Sequence, residues 1–404
     1  MPPDNSLPVE VRRLMAARGA RSLGQGALFA AFTLYLHAMR WTSPEIGATL
    51  SAALLVGAVF TMAVGPASDR RGRKRYLLIY EAVQAVAALL AIITAWPPAL
   101  ALAAIMGGFG RGAGGSAGPF APLEQAWLAN ALPAHKRGAV FSLNAAIGFL
   151  GMAAGAFITG GVHFLIVPLG KTLAYRPLFL VSFAGSILAF WMIAGLHETP
   201  PVFLTGGRPV EYRERRQENR MLARLVIANA INGMGIGMIA PLIAYWFALR
   251  FQHGPGSIGP ALSASFLLGG TGSVLVARLA QRYGLIRPVI ILRGIGFVLL
   301  LLVPLVPQFG LSAALFAVRT GVNQGTAGVR QALVAGLTRE RRGLAASLQN
   351  VSIQIPRAVG PLASGFMLHA GMLKLPFFIA AFLQLAYVGL YARFFRGYAE
   401  GGVE

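Results

Sequence analysis

Apolar runs of membrane-spanning length follow one another along nearly the whole chain, and that pattern leaves few folds open. A helix crossing the hydrocarbon core needs about 20 mostly apolar residues. Backbone polar groups in lipid must bond within their own segment, so runs of this length read as helices. Twelve can be counted, at 19–39, 46–66, 76–97, 99–131, 139–161, 177–197, 222–249, 256–277, 288–307, 310–336, 343–369 and 374–396. The fourth and tenth are longer than a membrane needs and should extend into the cytoplasm. The run at 99–131 also holds Gly112, Gly114, Gly115, Gly118 and Pro119, which predicts a bend. The expected fold is an all-α integral membrane protein with both termini cytoplasmic.

Charge sharpens this reading. Only 12% of the 404 residues are charged, against about 25% in a soluble chain. That excludes an ordinary cytosolic enzyme. Lys and Arg number 35 against 13 Asp and Glu, for a net charge of +22. With the N-terminus inside, the cytoplasmic segments carry 24 of these bases and the opposite side 5. The basic character is therefore topology and attraction to anionic lipid, and not a nucleic-acid footprint. No small-residue cleavage site follows the first run, which reads as a spanning helix and not as a signal peptide. The chain has no cysteine. The histidines lack metal-ligand spacing, and neither a phosphate-binding loop nor a Ser-His-Asp grouping is present. No metal, no cofactor and no enzymatic activity is expected. Arginine outnumbers lysine 31 to 4, a composition that points to a prokaryotic inner (plasma) membrane.

The two halves of the chain repeat each other. Asp69-Arg70-Arg71-Gly72 aligns with Gln281-Arg282-Tyr283-Gly284 at an offset of 212, which also sets Glu81 on Arg293. Arg137-Gly138 and Ser142-Leu143-Asn144 fall on Arg342-Gly343 and Ser347-Leu348-Gln349 at 205. Arg111 meets Arg319 at 208 and Tyr35 meets Tyr245 at 210. The polar stretch 198–221 separates six runs from six. The expected organisation is a bundle at 1–197, a cytoplasmic linker at 198–221 and a bundle at 222–404. Repeats related by an axis along the membrane normal are a transporter design, with the substrate site between the bundles.

Gly65-Pro66-Ala67-Ser68-Asp69-Arg70-Arg71-Gly72-Arg73-Lys74-Arg75 lies between the second and third runs. It resembles the loop 2–3 signature of the major facilitator superfamily. The resemblance implies that Gly65, Asp69, Arg70, Gly72 and Arg73 form a cytoplasmic gate that closes against helix 11 in the outward-open state. Gly65 would allow close helix approach, Gly72 a tight turn, and Asp69 would pair with Arg73. Gly110-Arg111-Gly112 resembles the helix-4 arginine motif associated with proton coupling. The acid expected seven residues before the loop arginine is here Asn130, and the nearest acid is Glu124. Gly151-x-x-x-Gly155-Ala156-x-x-x-Gly160-Gly161 is similar to the antiporter signature of drug exporters, with Ala156 in place of proline.

Ionisable groups inside a membrane are costly and mark function. Arg111 and Glu124 belong to the fourth run, Arg319 and Arg330 to the tenth. Arg319, Asn323 and Arg330 should share one helix face, since eleven residues return the helix to within about 20°. Glu124 and Arg330 are nearly pseudo-equivalent, and a salt bridge between them would break as the halves rock. Glu81 is expected to pair with the basic loop 70–75. Arg357, deep in the eleventh run, needs a partner or an anionic ligand. Gln25, Tyr35, Asn229, Asn232 and Tyr245 are candidate cavity residues, and Met234 and Met238 would suit a promiscuous apolar site.

The first functional expectation is a monomeric, proton-coupled exporter of small amphipathic molecules. An organic-anion carrier using the intramembrane arginines is the alternative within transport. A transporter-like receptor that does not translocate is the alternative outside it.

Overall fold

The computed structural model describes residues 7–111, 120–198, 212–336 and 342–395. Among these it forms fifteen α-helices and no strand. The first half comprises α1 (Val9–Ala38), α2 (Ser43–Arg71), α3 (Arg73–Ile93), α4 (Pro97–Gly107), α5 (Phe120–Asn130), α6 (Ala134–Thr159), α7 (Val162–Leu173) and α8 (Arg176–Ala194). The second comprises α9 (Tyr212–Ile239), α10 (Ile243–Phe251), α11 (Pro255–Tyr283), α12 (Arg287–Leu302), α13 (Phe309–Gly336), α14 (Arg342–His369) and α15 (Leu375–Phe395).

Twelve spans follow when α4 and α5 are joined as the fourth and α9 and α10 as the seventh. The break expected in the fourth span begins after Gly107, where Gly108 (φ 62°) and Gly110 (φ 76°) turn the chain. The rest of the glycine stretch lies outside the described residues. A turn of 3-10 helix at Ala240–Leu242 divides the seventh span beside Pro241, whose ring and missing N–H disrupt an α-helical ladder. The short α7 is an additional helix on the outer side. The linker expected at 198–221 falls largely on residues outside those described, and α9 already begins at Tyr212.

The packing repeats as the sequence does. In the first half α1 packs on α6 and α8, α3 on α8, and α2 and α3 on α4. In the second, α9 packs on α14 and α15, α12 on α15, and α11 and α12 on α13. Each contact has its counterpart six spans later. The halves meet through α2 with α14 and α6 with α11, again a pseudo-symmetric couple. The fold is thus two pseudo-symmetric six-helix bundles.

Small residues make these seams close. A Cβ on Gly155 would strike the backbone of Leu23, so this signature glycine packs α6 onto α1. One on Gly259 would strike Ala156 and Gly160, joining the halves. Without water between helices to expel, such backbone approach is what drives packing in lipid.

The inter-half contacts cluster toward the outer side. Ser43 and Tyr245 share a hydroxyl hydrogen bond of 2.7 Å, and the Leu362 N–H donates to Ser51 Oγ at 2.9 Å. Gly47 and Gly365 abut Pro361 and Ser43. Toward the cytoplasm the packing thins. Among the described residues, a side chain added at Gly65, Gly138 or Gly284 would meet nothing within 4 Å. The contacts described between the halves hold the outer side together.

Candidate functional site

The first half buries a compact charge network. Arg21 on α1 donates to Glu81 on α3 at 3.0 Å and to Glu124 on α5 at 2.8 Å. Arg18, one turn earlier, reaches Glu124 at 3.3 Å. Asn144 on α6 donates to the other Glu124 oxygen at 2.6 Å. All five side chains are at most 5% exposed. Two bases and two acids cancel, and four spans are tied together.

This corrects two expectations. Glu81 pairs with Arg21 and not with the loop at 70–75. Glu124 pairs within its own half and not with Arg330, because α1 brings two arginines between α3 and α5. Sequence reading named neither Arg18 nor Arg21 as a partner. The apolar run counted from residue 19 leaves Arg18 outside it, whereas the helix begins at Val9. Their spacing of three residues, one turn on a single face, was the available signal.

The second half repeats the arrangement with its charges inverted. Arg293 stands where Glu81 stands in the first half, and Arg330 close to where Glu124 does. The offset that sets Tyr35 on Tyr245 places Ala228 and Ile231 opposite Arg18 and Arg21. Arg293 donates from Nε to Thr326 Oγ1 and from Nη1 to Asn232 Oδ1, both at 3.1 Å. Arg319 donates to Gln384 Oε1 at 3.3 Å, and Gln384 donates in turn to the Arg293 carbonyl at 2.8 Å. Every acceptor is neutral. Arg319 Nε and Arg330 Nε and Nη1 are buried without a hydrogen-bond partner among the described residues. No Asp or Glu occurs anywhere in 219–339 or 341–399.

Arg293, Arg319, Asn323 and Arg330 line one cavity of about 90 Å³. The shared helix face expected for Arg319, Asn323 and Arg330 is therefore realised on α13. Phe29, Phe266 and Phe316 form an apolar wall of the same cavity.

The other expected residues scatter. Asn232 serves Arg293, and Asn229 donates to Ser352 on α14 at 3.3 Å. Tyr35 packs inside its own bundle against Tyr175 and Phe179. Tyr245 belongs to the outer seam, where it meets Ser43 and the His37 ring. Gln25 lines a separate small cavity with Arg111. Arg357 donates to the Arg111 backbone carbonyl at 2.9 Å, across the two halves.

At the gate loop, Gly72 adopts φ 87°, a left-handed conformation that favours glycine. Glu198, at the end of the sixth span, accepts from the Arg73 and Lys74 N–H groups at 2.7 and 2.9 Å and caps α3. Lys74 Nζ returns the favour to the Ala194 and Leu196 carbonyls at the end of α8. The Arg73 guanidinium donates to the Ala126 carbonyl at 3.1 Å. Arg70 is exposed. The Asp69 side chain lies outside the described residues, and with it the expected Asp69–Arg73 pair. Gly65 makes no close helix approach among the described residues.

A family model for the Major Facilitator Superfamily matches residues 14–217 and 225–401. The chain belongs to the Major Facilitator Superfamily. Members of this superfamily are secondary transporters that work by alternating access, and this chain is a multi-pass membrane protein of that kind. Solved superfamily transporters share the fold. The nucleoside transporter NupG is 13% identical with a TM-score of 0.70, covering 96% of this chain and 100% of its own. A bacterial homolog of the human lysosomal transporter Spinster, inward-facing and unoccupied, is 12% identical with a TM-score of 0.72, covering 99% and 100%. A D-xylose–proton symporter is 15% identical with a TM-score of 0.70, covering 95% and 97%. An uncharacterized membrane protein of Saccharomyces cerevisiae, YJR124C, is 20% identical over 93% of this chain and 92% of its own.

Proposed function

We propose that this transporter carries small organic anions, bound through Arg293, Arg319 and Arg330. One observation carries the reading: three arginines line a cavity in a half whose membrane region contains no carboxylate. A charged side chain at the centre of a spanning helix costs about 2.5–3.5 kcal/mol even by the mildest scale. The first half offsets that cost with Glu81 and Glu124. The second half leaves it to be offset by whatever enters the cavity. Guanidinium groups suit carboxylate and phosphate, which they can bind through two parallel hydrogen bonds.

The size of the space refines the proposal. About 90 Å³ of cavity is room for several water molecules at ~10–15 Å³ each. That holds an acidic head group. The apolar body of the substrate would lie along Phe29, Phe266 and Phe316. This favours the organic-anion alternative over export of amphipathic compounds in general.

For a coupling proton, the geometry favours Glu81 over Glu124. Glu124 is held by two arginines and an asparagine. Glu81 is fully buried, has one arginine, and its Oε2 lacks a hydrogen-bond partner among the described residues. The gate loop keeps its proposed role: Gly65 is open here and would be covered when the cytoplasmic ends close.

The test is ligand-induced stabilisation of the purified protein, followed by uptake into liposomes. Aromatic and aliphatic carboxylates and organic phosphates are screened against lipophilic cations. Anions should raise Tm and be transported, and Arg319→Gln should abolish both effects. Stabilisation by cations alone would reject the anion reading.

A further inference from the structure

A second cavity lies wholly within the first half, on the opposite side of the molecule's pseudo-axis from the arginine trio. It measures about 20 Å³. A site needs about 10–15 Å³ of such space to hold one water, so this one takes a single small particle. Its polar lining comes from Arg111, Gln84, Gln25, Tyr80 and Ser182. No carboxylate lines it. Arg111 and Gln84 are 6% and 4% exposed. Among the described residues, Arg111 Nη1 and Gln84 Nε2 are buried donors without a hydrogen-bond partner of full geometry, the Gln84 amide lying beside the Tyr80 hydroxyl.

The surroundings fix the arginine in place. Its guanidinium lies against Gly57 on α2 and Gly108 at the break after α4, where a Cβ would collide with it. The positive φ of Gly108 and Gly110 bends the chain so that the side chain folds back into the bundle. The local charge is also unbalanced. Glu81 and Glu124 are already matched by Arg18 and Arg21. Arg111 is left over, and Arg357 from the other half adds a repelling charge beside it.

We propose that this cavity binds a small inorganic anion, with chloride the ion of fitting size, held by Arg111 and Gln84. The Arg111 and Gln84 side chains, one of them cationic, border a space that takes a single small particle. An anion there accepts from both donors and offsets the Arg111 charge, which a neutral water cannot do. It also damps the Arg111–Arg357 repulsion at the level where the outer seam ends. Chloride therefore steadies the state described here. The site is independent of the substrate cavity in the second half.

The experiment is thermal unfolding of the full-length protein in sodium chloride and in sodium gluconate at equal ionic strength. Chloride should give a saturable rise in Tm of a few degrees, as a ligand of the native state does. Arg111→Gln and Gln84→Leu should each remove it, and Arg319→Gln should keep it. Crystals grown in bromide should show an anomalous peak beside Arg111, a readout that needs no variant. Equal Tm in the two salts with no bromide peak would mean that water fills the cavity, and the proposal would fall. A chloride effect lost in Arg319→Gln and kept in Arg111→Gln would assign the ion to the substrate cavity and overturn it equally.

Discussion

The two halves share a scaffold and differ in what they do with buried charge. In the first, Arg18, Arg21, Glu81, Glu124 and Asn144 close a neutral network across α1, α3, α5 and α6. In the second, the acidic positions have become Arg293 and Arg330, and the two helix-1 arginines have become Ala228 and Ile231. In the first half the network at Glu81 and Glu124 is matched acid for base; the arginines at the corresponding positions of the second half face neutral acceptors. On the proposed reading, duplication supplies the same cradle twice, and inverting the charges at pseudo-equivalent positions would turn a structural network into a binding site.

Substitutions at matched positions should break this comparison in opposite ways. Glu124→Gln leaves two buried arginines sharing one acid. Removing one partner of a buried pair costs about 3–5 kcal/mol, so a large drop in Tm and loss of folded protein are expected on size exclusion. Arg330→Gln removes a half-buried charge whose Nε and Nη1 have no hydrogen-bond partner among the described residues. The unliganded protein should unfold at the same temperature or higher. Anion transport should fall about tenfold or more, since a charge-assisted hydrogen bond is worth about 1.5–3 kcal/mol. If both variants lose stability alike, the halves do not differ as described.

Gly65→Leu probes the movement of one half against the other. The position is open here, so folding and anion stabilisation should survive. Transport should be lost, and accessibility labelling should find the cavity open to the cytoplasm throughout. Unimpaired transport would remove Gly65 from the gate. The smallest effect is expected at Glu198→Gln. It weakens the cap on α3 and should cost about 1 kcal/mol, a Tm decrease of a few degrees.

Much of this was legible in the sequence. Spans, repeat and topology follow from hydropathy, and the shared face of Arg319, Asn323 and Arg330 follows from helical period alone. The pairing of charges was not legible. Glu124 had Arg330 as its pseudo-symmetric counterpart, yet two closer bases reach it from α1. Those bases were hidden because hydropathy counts an arginine as an end of a span even when an acid waits for it inside. Glu198 was missed for a related reason: it lies 125 residues from the N–H groups it caps, and local patterns do not reach that far. Tyr35 and Tyr245, matched in sequence, part company in space: Tyr245 reaches across to Ser43 and His37 of the other half, whereas Tyr35 packs on Tyr175 and Phe179 of its own.

The exchange of caps between Glu198 and Lys74 bears on how such a gate can operate. The start of α3, where the loop ends, is riveted to the foot of the sixth span from both sides. That end of the loop cannot swing like a flap on a hinge. On the proposed gating role, shutting the cytoplasmic mouth would tip the first bundle as a whole, with the loop riding on it as a fixed tooth.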